Sequence, residues 1–73
     1  MNKQIAREYV GGGLVVTVEL EDETYYVLVN HPDHEHPITR YSSPRERPAL
    51  RVFGESVSEL SAQFEAQGWR WNR

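Results

Sequence analysis

Cysteine is absent from the chain, lysine occurs once, and no apolar run approaches the ~18 residues that cross a bilayer. The first absence excludes a disulfide framework and every thiolate-held zinc or iron–sulfur centre. The second leaves no pocketed lysine for Schiff-base chemistry, since Lys3 stands near one end. The third, with an opening Met1-Asn2-Lys3-Gln4 that carries no apolar block, leads us to expect a prokaryotic-type cytoplasmic protein with no membrane attachment. Size narrows the field further. The 73 residues form one expected domain, 1–73, and area scaling has such a chain bury roughly 60% of its unfolded surface. A cofactor domain beside a substrate domain does not fit, and no cofactor is expected. Two Trp, four Tyr and two Phe within an apolar fraction of 38% still suffice for one small core.

The net charge is −3, but the charges are unevenly spread. Residues 1–37 set Lys3 and Arg7 against Glu8, Glu19, Glu21, Asp22, Glu23, Asp33 and Glu35. Residues 38–73 reverse the balance, with Arg40, Arg45, Arg47, Arg51, Arg70 and Arg73 against Glu46, Glu55, Glu59 and Glu65. The chain is electrically two-ended. Solvated faces explain part of this pattern, and the overall sign argues against a general nucleic-acid coat.

The strongest local signal is alternation. Leu14, Val16, Val18 and Leu20 interleave with Val15, Thr17 and Glu19, and Tyr25–Asn30 resumes the pattern after Glu21-Asp22-Glu23-Thr24. A β-hairpin over 14–30 follows, with Leu20 opposite Tyr25, Val18 opposite Val27 and Val16 opposite Val29. That register keeps one face apolar, and a slip of one residue would turn it outward. The loop lacks Asn-Gly or Asp-Gly, so a four-residue connection is expected. Upstream, Gly11-Gly12-Gly13 breaks the chain, and residues 4–10 read as a returning strand in preference to a short helix. No Gly-Lys-Ser/Thr follows the glycines, and a strand rather than a helix comes next, so they are no phosphate loop.

Ser56 and Glu59 have capping-box spacing, Val57, Leu60 and Phe64 share a stripe, and Gly68 suits a C-terminal cap. A helix over about 57–67 is expected on the apolar face of the hairpin. Leu50–Phe53 and Trp69–Trp71 read as short strands. The expected fold is therefore α+β: a small, mainly antiparallel sheet of three to five strands carrying one helix. Leu14, Val16, Val18, Leu20, Val27, Val29, Val52, Leu60 and Phe64 should form the core, joined by Val57 and Trp69. Between hairpin and helix, Pro32, Pro37, Pro44 and Pro48 punctuate a Pro/His/Arg-rich loop at about 31–49. Loops of that length in small domains are usually functional or mobile.

Four chemistries compete for that loop. His31, Asp33, His34 and His36 are ordinary metal-ligand types, but all the histidines are there and a helix-borne H-E-x-x-H is absent, so a metal site is a lesser alternative. Ser42 and Ser43 share the segment, yet no rigid nucleophile–base pair is legible, and the chain is expected not to be an enzyme. Arg40, Tyr41, Arg45, Arg47, Arg51 and Trp71 combine guanidinium groups with stackable rings, as single-strand nucleic-acid binders do. The same residue types dominate protein-interface hot spots. A protein partner tolerates the acidic patch Glu21-Asp22-Glu23 beside these arginines, whereas a phosphate backbone does not. A protein-binding module, acting as an inhibitor or regulator, is the leading expectation, with single-stranded nucleic acid second. Val15, Tyr26 and Leu28 on the second sheet face also suit a homodimer. In genre alone, without residue correspondence, the chain resembles small phage or mobile-element inhibitors.

Overall fold

Alternation in Leu14–Leu20 and Tyr25–Val29 forms the centre of the protein. The structure, a computed structural model, describes the backbone of residues 2–71 and the side chains of residues 2–63. Strands β1 (Lys3–Gly11), β2 (Leu14–Glu21), β3 (Thr24–Asn30) and β4 (Ile38–Ser43) precede one helix, α1 (Glu46–Trp71). Each strand pairs antiparallel with the next, giving a sheet of order β1-β2-β3-β4. In β2 and β3, Leu20 pairs with Tyr25, Val18 with Val27 and Val16 with Val29, as the apolar alternation requires. Val16, Val18 and Val27 are fully buried. The helix contacts all four strands on this face, so the fold is a small α+β domain. None of the helices is long and apolar enough to cross a membrane, among the described residues.

The hairpin turn is tighter than expected. Glu21 pairs with Thr24, leaving only Asp22 and Glu23, at φ 50° and 64°, to reverse the chain. Both central residues at positive φ make the type I′ geometry that matches strand twist, here without glycine. Pairing of the flanking strands imposes it. The β1–β2 turn uses glycine for the same purpose. Gly11 pairs with Leu14 around Gly12 and Gly13, whose φ values are 60° and 85°. Residues 4–10 are accordingly strand, folded back so that Ile5, Ala6 and Val10 join the core.

The proline-rich segment is shorter than the 31–49 loop expected, because its prolines bracket elements rather than abolish them. Pro37 and Pro44 flank β4, an outer strand. Pro48 falls in the first turn of α1, where the missing N–H has no intrahelical partner to lose. Ser43 Oγ accepts a hydrogen bond from the Arg45 N–H at 3.1 Å, just ahead of Glu46. Ser43-Pro44-Arg45-Glu46 thus supplies the start signal, and Ser56 is not a cap. Ser56 lies buried within α1, on the stripe of Ala49, Val52, Phe53, Val57 and Leu60. Leu50–Phe53 is helix, and α1 runs through Gly68 and Trp69–Trp71, so neither expected strand nor the glycine cap forms. The expected core places of Phe64 and Trp69 lie outside the described side chains.

The two outer strands are irregular. The β1–β2 register shifts at Ile5 and again at Val10, and the β3–β4 register shifts at Arg40. Glu8 pairs with Val16, on the helix-covered face, and stays exposed. Among the described residues, nothing packs on the opposite face of the sheet. Arg7, Thr17, Leu28 and Thr39 form a row across it. Thr17 is 4% exposed there, and its Oγ1 has no hydrogen-bond partner.

Candidate functional site

Where β4 meets the first turns of α1, the chain has just turned a corner through Ser43-Pro44-Arg45. Tyr41 stands opposite Val27, so its ring is held on the helix side of the sheet and packs against the core. The first two turns of α1 bring Arg47, Pro48, Arg51 and Val52 alongside it. Together with Arg45 these residues line a groove of about 570 Å³. Three guanidinium groups thus line one groove with an aromatic ring and an aliphatic wall, and among the described residues the lining includes no carboxylate.

Ion pairing leaves most of that charge available. Among the described residues, Arg45 and Arg47 make no salt bridge. Arg51 Nε lies 3.7 Å from Glu55 Oε2, one turn along the exposed helix face. Such solvated pairs contribute little and exchange readily with a better-placed anion. Arginine forks accept carboxylate or phosphate in bidentate fashion, and the ring and Val52 add an apolar contact. Among the described residues, the groove lining thus offers groups suited to holding an anion.

Of the residues singled out in the sequence, Tyr41, Arg45, Arg47 and Arg51 are brought together. Arg40 is not. Its Nη2 is held by Glu59 Oε1 of α1, so this arginine ties the outer strand to the helix instead of standing free. The register shift at Arg40 turns it toward α1, which no local pattern announces. The Trp71 side chain lies outside the described residues. Pro48 and Val52 were missed as lining residues, since their role depends on helix onset at Glu46.

The acidic residues Glu21, Asp22 and Glu23 sit at the exposed β2–β3 turn. Because Tyr25 pairs with Ser43, this turn and the arginine groove occupy the same end of the protein. The histidine segment lies at the other end of β3. There the His34 N–H donates to the His31 carbonyl at 3.0 Å, and the Asp33 N–H donates to His31 Nδ1 at 3.0 Å. His31 and His34 rings come within 5.0 Å. Pro32 and Asp33 thus occupy the centre of a tight turn rather than a mobile loop. Among the described residues, no three His, Asp or Glu side chains are arranged to hold a metal ion.

Comparison with family models, curated proteins and solved structures finds no match, so every functional statement rests on this chain's own residues.

Proposed function

We propose that the chain is a non-enzymatic protein-binding module, an inhibitor or regulator, whose groove takes an acidic segment of a partner protein. One observation carries this reading: Arg45, Arg47 and Arg51 line one groove with Tyr41 and Val52, with no carboxylate among the described lining residues. Guanidinium groups beside an aromatic anchor are the usual composition of interface hot spots. The neighbouring turn Glu21-Asp22-Glu23 favours a protein over nucleic acid, because a polyphosphate would approach both the groove and three carboxylates on the same end.

The test is capture from the native host with the wild-type chain and with Arg45→Ala/Arg47→Ala. Both positions are exposed, so the variant should keep its melting transition. The wild type should retain a stoichiometric protein that the variant loses. Equal capture by both would remove the groove from function. Recovery of single-stranded DNA or RNA, with a salt slope near −0.7 per neutralised phosphate, would put nucleic acid in its place.

A further inference from the structure

Each chain carries an unmatched set of both charges at one end. Among the described residues, Glu21, Asp22 and Glu23 form no salt bridge, and neither do Arg45 and Arg47. Asp22 and Glu23 are the turn's only unpaired residues, closed by the Glu21–Thr24 pair with the Leu20–Tyr25 pair directly behind it. The carboxylates therefore project from a stiff hairpin end while the groove opens beside them.

We infer that at high protein concentration a second copy of this chain occupies the groove: the turn Glu21-Asp22-Glu23 of each copy docks against Arg45, Arg47 and Arg51 of the other. This rests on the reading of the groove as an acid-binding surface and adds its first occupant. Turn and groove share one end, so two copies meeting end to end about a two-fold axis make both contacts at once. A symmetric, self-complementary contact closes on itself and stops at a dimer. Exposed ion pairs are individually weak, so this dimer dissociates on the order of 0.1–1 mM. That weakness gives it a regulatory consequence. Self-pairing covers the groove when the protein is concentrated, and an acidic partner with an added apolar contact displaces the second copy.

Sedimentation of the full chain over a concentration series tests this. At low salt the wild type should move from monomer toward dimer, and about 1 M salt, with its Debye length of about 3 Å, should return it to monomer. Arg45→Glu/Arg47→Glu should be monomeric, because an acidic groove meets an acidic turn. Glu21→Lys/Glu23→Lys should be monomeric for the opposite reason. An equimolar mixture should dimerise again, since each variant's turn now matches the other's groove at both contacts. Far-UV circular dichroism and a melt confirm folding of each. Glu21→Gln/Glu23→Gln replaces the lysine variant if that turn fails, and it should weaken the wild-type dimer at least tenfold. A wild type that stays monomeric throughout, a dimer untouched by either variant, or a mixture that stays monomeric would each overturn the inference. Partner capture separates this result from the preceding one. The turn variant keeps its groove, so if self-pairing fails while the groove reading holds, it still captures what Arg45→Ala/Arg47→Ala loses.

Discussion

Replacing Val18 by aspartate is the sharpest perturbation of the fold. Val18 is fully buried between Ala6 on β1 and Val27 on β3, beneath the helix. Removing its side chain forfeits about 1.5 kcal/mol or more of apolar burial. An unpaired charge there adds about 3–5 kcal/mol. A chain of 73 residues has a total stability of about 4–11 kcal/mol. The variant therefore loses most or all of its folded population at neutral pH. The sign of the pH response is also set. Burial raises the pKa of the new carboxyl in the folded state, so that state binds the extra proton and stability falls as pH rises through the raised value. Acidification should restore part of the fold. Val15→Asp lies three residues away on the open face, and should cost about 1 kcal/mol with little pH dependence. Urea melts monitored by circular dichroism at neutral and acidic pH read all of this. A cooperative Val18→Asp melt at wild-type midpoint, or a Val15→Asp loss of equal size, would refute the register and the core derived from it.

Three further outcomes follow from backbone geometry. At Gly13, φ is 85° and an added Cβ would meet Pro32 Cγ at 2.8 Å, so Gly13→Ala should lose at least ~1–2 kcal/mol, seen as a lower denaturation midpoint. Glu23→Gly converts the turn to Asp-Gly and releases a non-glycine residue from φ 64°, so stability should rise by about 1 kcal/mol. Gly54 lies inside α1 with nothing within 4 Å of an added Cβ, and Gly54→Ala should raise the melting temperature through about 0.5–1 kcal/mol of helix propensity.

Legibility in the sequence tracked how local each signal was. The Val16–Val29, Val18–Val27 and Leu20–Tyr25 pairs could be read because period-two alternation and a single short connection leave one apolar register. The Asp22-Glu23 turn could not, because its conformation comes from strand pairing and runs against the residues' own preference. Helix onset was hidden by two copies of the same spacing. Ser43–Glu46 and Ser56–Glu59 both read S-x-x-E, and only the stripe Ala49, Val52, Phe53, Val57, Leu60 distinguishes them by requiring the earlier start. Pro44 and Pro48 looked like breakers, yet Pro44 stands just before α1 and Pro48 in its first turn, where a proline costs little. For the site, Tyr41, Arg45, Arg47 and Arg51 are near neighbours in the chain, so composition pointed to them. Arg40 belongs to the same run by composition alone. Its ion pair with Glu59 spans nineteen positions, beyond the reach of any local pattern.

The irregular outer strands bear on behaviour at high concentration. Free strand edges template further strands, and a long, flat edge is the starting point for fibrils. Here β4 is short, broken at Arg40 and stopped by Pro37 and Pro44, while β1 is broken at Ile5 and Val10 and carries an exposed Glu8 on the helix side of the edge. Neither edge offers an uninterrupted ladder to a second molecule. The protein should therefore remain dispersed rather than polymerise sheet to sheet, and smoothing one edge, by deleting the extra residue at Arg40 for example, would open a route to aggregation that the native chain lacks.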